Sequence, residues 1–218
     1  MKFVHPYYFD PIIIEDTDPE TLVIENNRYF RSMTADLLEQ YNNDYGDFVL
    51  SEGNDLLNLA KTTAIITDPF SIDFNSRTLK SKLLQILSSE CAELNYMSVI
   101  SDLNRLGFEI SSGSKFSLTF KSELTLTDLL KFLDFQIDHI SLDPIESLLE
   151  YISLSSELLN KSLIITYGIK DILTFDEYSE FEKSIKYKHL KLLLVEHRCH
   201  RSDDPKHRRI IDEDLCVI

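Results

Sequence analysis

Three basic side chains open a predicted helix in a strongly acidic chain. The segment TDPFSIDFNSRTLKSKLLQIL carries Arg77, Lys80 and Lys82, whereas the 218-residue chain has a formal charge of −15. Cations at a helix N-terminus are disfavoured by roughly 0.3–1 kcal/mol each, because the helix dipole is positive there. These residues are therefore either a minor feature of the surface or contacts for a negatively charged partner.

The acidic charge is concentrated near the start of the chain. Residues 1–60 hold twelve Asp and Glu against three Lys and Arg, whereas residues 161–218 hold eleven of each. A locally basic surface can still contact phosphate groups, so the net charge does not exclude nucleic acid. Other basic candidates are Arg105, Lys131 and the segment 198–209, with Arg198, Arg201, Lys206, Arg208 and Arg209.

Two apolar segments end in a carboxylate, as does a strand that holds magnesium beside a nucleotide. They are AIITD, which ends at Asp68, and LLLVE, which ends at Glu196. The phosphate loop G-x-x-x-x-G-K-[ST] is absent from the sequence, which has five glycines. We therefore expect no nucleotide binding, and we expect both carboxylates to cap or to hydrogen-bond locally. No catalytic Ser/His/Asp or Cys/His arrangement can be assembled, so no catalytic residue is predicted.

Four acidic residues in the segment ELTLTDLLKFLDFQID could ligate a hard cation. They are Glu123, Asp128, Asp134 and Asp138. Calcium requires several oxygen ligands that converge on one point. Acids about five residues apart do not share a helix face, because a helix has 3.6 residues per turn. A site would need the preceding loop or another chain, and the alternative is a solvated acidic surface.

The segment EHRCHRSDDPKHRR gathers the side chains His197, Cys199, His200 and His207. Their spacing is not that of a tetrahedral zinc site, and adjacent residues on an extended chain point apart. The favoured interpretation is a polar loop after the last strand of the core. A loop that contacts phosphate is the alternative, because the segment is also basic.

The elements that must position these residues follow the pattern β-α-β, helical insertion, β-α-β. Short apolar runs such as TLVIEN, TTAIITDP, SLIITYG and LKLLLVEH predict strands. Apolar residues at helical spacing predict helices between them, and one apolar stripe runs through Leu79, Leu83, Ile86/Leu87, Cys91, Leu94 and Met97. The predicted helix caps are Asn26 or Asn27, Asp143, and Thr174 with Glu177. KFSLTF predicts a small strand, and SVISDLNRLGFEI predicts a helix with a break near Gly107. We predict an α/β head domain, residues 1–75 plus 161–218, and a mainly helical leg domain, residues 76–160.

Several features favour a cytoplasmic protein. The three cysteines, Cys91, Cys199 and Cys216, are far apart and form no C-x-x-C motif, which is typical of a reducing compartment. No apolar run approaches the ~20 residues of a membrane span. The start, MKFVHPYYFDP, lacks the apolar region of a signal peptide.

The ordered set of segments resembles one known family. TLVIENNRYFRSM, GDFVLSEG, TTAIITDPFSIDFNSRTLKSKLLQIL, LLKFLDFQID and the tail IIDEDLCVI are similar to the small CRISPR-associated adaptation protein of type II-A systems. The resemblance runs along the whole chain, in order and at matching size. It rests on the ensemble of segments, because no single motif is diagnostic.

The resemblance implies a fold and a function. The fold is an α/β head similar to a degenerate P-loop kinase, with an inserted helical leg. The function is non-catalytic: a homotetrameric ring holds calcium, binds ends of linear double-stranded DNA in a positive hole, and serves spacer acquisition in antiviral defence. The implied protein partners are a CRISPR integrase and an effector nuclease, and no membrane is involved.

The resemblance also assigns the candidate residues. The expected DNA contacts are Arg77, Lys80, Lys82, Arg105 and Lys131. The expected calcium ligands are Glu123, Asp128 and Asp138. Two other interpretations compete with this one: a nucleotide-dependent kinase or ATPase-like protein, and an acidic interaction scaffold that binds no nucleic acid.

Overall fold

The computed structural model describes most of the chain, namely residues 1–7, 10–139, 143–200 and 203–218. The protein is a mixed α/β protein with a parallel sheet, as predicted. It divides into two compact units. The first unit comprises residues 1–72 and 139–218, and the second comprises residues 73–138.

The described strands all belong to the first unit. In chain order they are β1 Lys2–Val4, β2 Ile12–Ile13, β3 Glu20–Ile24, β4 Val49–Glu52, β5 Asp55–Leu57, β6 Thr63–Ile66, β7 Leu163–Tyr167, β8 Lys191–Glu196 and β9 Arg208–Ile211. Strands β6–β7–β8–β3–β9, in that order, form a parallel sheet. Strands β2–β1–β4–β5 form a smaller antiparallel sheet.

The described helices are distributed between the two units. Those of the first unit are α1 Asn27–Asn43, α2 Leu59–Thr62, α6 Pro144–Leu159, α7 Ile169–Ile172 and α8 Phe175–Tyr187. Those of the second unit are α3 Arg77–Glu90, α4 Met97–Gly113 and α5 Leu126–Leu133. Several predicted caps are present: Asn26 caps α1, Asp143 caps α6, and Thr174 with Glu177 forms a capping box at α8.

The parallel sheet is covered on both faces, which explains its nearly continuous apolar strands. Leu193 and Val195 of β8 belong to a core cluster with Phe3, Met33 and Leu37, so α1 and the small sheet cover this face. Alternate residues of β8, Leu192 and Leu194, belong to a second cluster with helices α6 and α8. The alternation follows from the two-residue period of a strand.

Helix α6 lies outside the helical domain in which it was predicted. The leg was predicted to extend to residue 160, but α6 belongs to the first unit. Its side chains Leu148 and Ile152 are buried and cluster with Ile164 and Phe181 of that unit. Burying each such aliphatic side chain contributes roughly 1.5–3 kcal/mol, so the helix is part of the core beneath the sheet.

The second unit departs from prediction in three places. The apolar stripe predicted from Leu79 to Met97 is interrupted, because α3 ends at Glu90 and Leu94 is 62% exposed. The predicted strand KFSLTF is not a strand within the described residues 73–138. Helix α4 continues through Gly107 without the predicted break. The Phe120 ring lies so close to Gly107 that a Cβ there would come within 2.6 Å of it, so close approach accounts for the glycine.

Candidate functional site

The predicted DNA-contacting residues all lie in the second unit. Ser76 caps helix α3, and its hydroxyl accepts a hydrogen bond from the Leu79 backbone N–H at 3.4 Å. The cap places Arg77 at the first helical position, where it is exposed. The side chain of Leu79 is fully buried and anchors this turn. The basic start of α3 is therefore a surface feature of a well-defined helix.

These basic residues differ in whether an acid already neutralises them. Lys80 Nζ lies 3.1 Å from Asp134 Oδ1. Arg105 lies 3.0 Å from Asp102 and 3.9 Å from Glu109 on its own helix. Of the five predicted DNA contacts, Arg77, Lys82 and Lys131 have no carboxylate oxygen within 4.0 Å among the described residues.

The basic segment 198–209 is largely engaged within the first unit. The guanidinium of Arg198 donates to Asp171 Oδ1 from Nε at 2.9 Å and from Nη2 at 2.6 Å. Arg209 donates to the backbone carbonyls of Asp10 and Pro11. Arg201 lies outside the described residues. Arg198 and Arg209 are therefore already bonded within the chain, which weakens the interpretation of this segment as a phosphate-contacting loop.

The three predicted calcium ligands do not converge within one chain. Asp128 Oδ2 accepts from the Thr125 backbone and hydroxyl, forming a capping box, and Asp128 Oδ1 lies 2.7 Å from Lys121 Nζ. The Lys121 and Thr125 bonds hold the pKa of Asp128 well below its ordinary value. Glu123 and Asp138 are exposed. Calcium needs six to eight oxygens, so these residues of a single chain do not supply a calcium site.

A groove of about 510 Å³ runs through the second unit and is lined by apolar side chains. Leu126, Leu130 and Leu133 contribute from α5, and Val99 and Leu103 contribute from α4. Phe132 at its edge is 82% exposed. So much exposed apolar surface in a small helical unit indicates an interaction surface.

The carboxyl edge of the parallel sheet carries a charged cluster. Glu196 ends β8 and is completely buried. Its Oε1 accepts from the Lys170 backbone N–H at 3.2 Å, and its Oε2 has no hydrogen-bond partner. Burial raises the pKa of Glu196 to about 7. The prediction of capping or local bonding holds for Asp68, which bonds Phe70 and Ser71, and for Glu196 Oε1, which accepts at the start of α7, but not for Glu196 Oε2.

Lys170 lies beside this glutamate and is also buried. Its ammonium pairs with Asp203, contacts Thr21 Oγ1 at 3.0 Å, and lies 5.0 Å from the centre of the Tyr178 ring. Gly168 precedes helix α7 with φ of 61° and donates its N–H to the Val195 carbonyl at 3.0 Å. A left-handed backbone favours glycine, so Gly168 fixes the turn that brings α7 beside β8.

Asp171 and His200 complete the cluster. Their ligating atoms and one Glu196 oxygen lie within 4.8 Å of one another, a grouping of three potential metal ligands. Sequence reasoning missed Lys170, Asp171 and Asp203. The sequence offers only an indirect signal for this cluster. Glu196 ends strand β8, and Lys170 and Asp171 follow shortly after strand β7. The carboxyl ends of parallel strands meet at one edge of a sheet, which brings these residues together.

The connection from β3 to α1 has none of the features of a phosphate loop. It consists of Glu25 and Asn26, and the Asn26 side chain accepts from the Tyr29 backbone N–H at 2.9 Å. The amide side chain of Asn26 thus caps the helix start itself. The prediction of no nucleotide binding stays a prediction.

Among the described helices, none combines the length and apolarity that crossing a membrane requires.

No match was found among curated protein sequences. One similar solved structure is a putative ABC transporter ATP-binding protein from Pyrococcus furiosus: identity is 10%, coverage is 93% of this chain and 92% of that chain, and the TM-score is 0.40. Another is an ATP-binding subunit of an ABC transporter: identity is 13%, coverage is 90% of this chain and 78% of that chain, and the TM-score is 0.33. A family model described as CRISPR-associated protein (Cas_Csn2) matches residues 40–215.

Proposed function

The chain belongs to the Cas_Csn2 family of CRISPR-associated proteins, and we propose that it binds ends of linear double-stranded DNA as a homotetrameric ring, without catalysis, during spacer acquisition. The observation that carries the proposal is the set of cations without ion pairs on the second unit. Arg77, Lys82 and Lys131 belong to it. A CRISPR integrase and an effector nuclease are the proposed protein partners in antiviral defence.

The distribution of charge supports DNA contact by the second unit. Residues 73–138 hold seven of the 22 Lys and Arg residues and nine of the 37 Asp and Glu residues. The unit is therefore close to neutral in a chain of formal charge −15. Release of counterions from DNA would outweigh the small cost of cations at the start of α3.

The exposed apolar groove supports self-assembly. Phe132, Leu133 and Phe135 are exposed in one chain, and covering them requires another protein surface. A second copy supplies apolar surface of the same chemistry, so a closed assembly of identical chains is the simplest occupant. We propose that the basic residues of each copy line the common opening of this ring.

We propose that calcium binds only where two copies of the chain meet in the assembly. The acids Glu123, Asp128 and Asp138 lack convergence in one chain, so further oxygens must come from another copy and Lys121 must leave Asp128. A cation that bridges copies would couple ring formation to calcium.

For the first unit, we propose a degenerate phosphate-binding fold, supported by the strand order β6–β7–β8–β3–β9 and by the glycine-free β3–α1 connection.

The test measures binding to linear duplex DNA of several sequences by gel shift. Lys82→Ala with Lys131→Ala should weaken binding equally for all sequences, because phosphate contacts carry no base information. Each lost contact should reduce the slope of log affinity against log salt by about 0.9. The matched control is Lys183→Ala with Lys188→Ala, which removes two exposed cations from the first unit.

Closed circles separate threading from other modes of DNA binding. A ring that loads at ends should bind linear duplex and should be competed poorly by covalently closed circles of the same length. Equal competition would remove the threading mechanism. Wild-type affinity and salt slope in a folded Lys82/Lys131 variant would contradict DNA contact by these residues.

A further inference from the structure

A second cation site, unrelated to the acids of the second unit, lies at the carboxyl edge of the parallel sheet. We propose that Asp171, Glu196 and His200 bind a divalent transition metal ion such as Zn²⁺. Asp171 belongs to α7, Glu196 ends β8, and His200 follows in the next connection. The proposal concerns the first unit alone and does not depend on DNA binding.

The distances suit a small ion. His200 Nε2 lies 3.3 Å from Asp171 Oδ1 and 4.0 Å from Glu196 Oε2. Zinc binds nitrogen and oxygen ligands at about 2.0–2.2 Å, which places two tetrahedral ligands roughly 3.4 Å apart. The His200–Asp171 distance already matches, and the Glu196 oxygen needs a shift of about half an ångström.

Two polar atoms at the site have no hydrogen-bond partner, which itself points to a ligand. They are Glu196 Oε2 and His200 Nε2, both buried. Glu196 is completely buried, and leaving a carboxylate oxygen unsatisfied there is costly. A metal ion between these atoms would satisfy both at once.

The carboxylates around the site outnumber the cationic side chains, so the local charge balance favours one more cation. Within the cluster, the carboxylates of Asp171, Glu196 and Asp203 face the ammonium of Lys170 and the guanidinium of Arg198. Arg198 donates from Nε and Nη2 to Asp171 Oδ1, the oxygen nearest His200 Nε2, so it would remain as an outer partner that shares this oxygen with the metal ion, since ligating carboxylates are commonly hydrogen-bonded.

The donor set selects the class of metal. One imidazole nitrogen and two carboxylates suit zinc and its neighbours, whereas calcium and magnesium prefer oxygen ligands alone. Three protein ligands leave a fourth position for water. Asp171 is the most exposed of the three side chains, so this open position faces solvent on its side.

Metal-stripped protein titrated with Zn²⁺ in competition with a chromophoric chelator tests the proposal. We expect one high-affinity Zn²⁺ ion per chain, which calcium does not displace. Glu196→Gln and His200→Ala should each weaken Zn²⁺ binding more than the roughly 10–100-fold that loss of an outer partner costs. Both variants should fold: Gln keeps the acceptor for Lys170, and the His200 backbone N–H still bonds Asp203 at 2.8 Å.

Two control variants test whether another histidine or the nearby thiol contributes to Zn²⁺ binding. His207→Gln and Cys199→Ser should retain wild-type Zn²⁺ affinity. Bound Co²⁺ should show visible absorption that His200→Ala abolishes, with no thiolate charge-transfer band in the near ultraviolet. Absence of high-affinity Zn²⁺ binding, unchanged affinity in folded Glu196 and His200 variants, loss of binding in Cys199→Ser, or displacement by calcium would each overturn the proposal.

Discussion

Lys170 and Asp203 form an ion pair that is almost entirely removed from water, with side chains 5% and 0% exposed. Lys170 Nζ also bonds Thr21 Oγ1, and Asp203 Oδ2 accepts the His200 backbone N–H. The pair therefore links the connection after β8 to strand β3 and helix α7. A buried pair of this kind is strongly destabilising when one partner is removed, because a charge is left uncompensated.

Asp203→Asn should lower the free energy of unfolding by roughly 3–5 kcal/mol. The change keeps the shape of the side chain but leaves the Lys170 ammonium without its counter-charge. Urea unfolding measures the effect, and the exposed neighbour Asp204→Asn should stay within about 0.5 kcal/mol of wild type. Adding Lys170→Met to Asp203→Asn should recover part of the loss, and equal stability of the single variant and wild type would contradict the prediction.

His207 should make stability depend on pH. Its Nδ1 lies 2.8 Å from Glu20 Oε1, and this bond raises the pKa of His207 above its ordinary value. Because the folded pKa is raised, the stabilisation is complete below about pH 6.5 and is lost as pH rises through the folded pKa. Burial raises the pKa of Glu20, so the contribution also declines in acid, as Glu20 protonates.

His207→Gln should therefore cost more free energy of unfolding near pH 6 than near pH 8.5. Urea unfolding of wild type and variant at both values measures the difference. His189→Gln serves as the comparison: His189 also faces a carboxylate, Asp16 at 3.5 Å, but its side chain is 81% exposed, so its pair should contribute little at either pH. An equal cost of His207→Gln at the two pH values would rule out the charged His207–Glu20 pair.

Phe132→Asp should dissociate the proposed tetramer. The substitution puts a charge on the exposed edge of the apolar groove, where burial between copies would then require desolvating it. Light scattering at micromolar concentration measures the mass. Phe175→Asp, at an exposed aromatic residue of the first unit, should leave the mass unchanged. A monomeric wild-type protein, with and without calcium, would contradict tetramer formation.

Calcium should raise the melting temperature, and Lys121→Ala should strengthen the effect. Lys121 occupies one oxygen of Asp128, so its removal releases a potential ligand. At one hundred times its dissociation constant, a ligand stabilises the folded state by about 2.7 kcal/mol. Glu123→Gln with Asp138→Asn should abolish the rise. A melting curve that neither calcium nor magnesium shifts would mean that this chain holds no such site.

Local patterns predicted the elements well where they depend on near neighbours. The short apolar runs form β3, β6, β7 and β8, and the caps at Asn26, Asp143 and Thr174 depend on residues within one helical turn. A cap is set by two or three residues, so the sequence contains the whole interaction.

Partners distant in sequence were not predictable in the same way. The apolar stripe of α6 has the spacing of the leg helices, and periodicity indicates a buried face without naming what covers it. Leu148 and Ile152 pack on the sheet of the first unit, which places α6 there. The cluster at Glu196 depends on the turn at Gly168 and on the connection to His200, and neither has a motif of its own.

The order of strands in the parallel sheet has a consequence for how the protein is made. Strand β3, near the start of the chain, pairs on one side with β8 and on the other with β9. Thr21 lies opposite both Leu194 and Arg208, so these pairings close very long loops, and such topology folds slowly. During synthesis, β3 has neither neighbour until residues 191–211 emerge. The backbone edges of β3 therefore stay unpaired until both late strands have been made, although α1 and the small sheet, which also lie early in the chain, can already cover its apolar side chains.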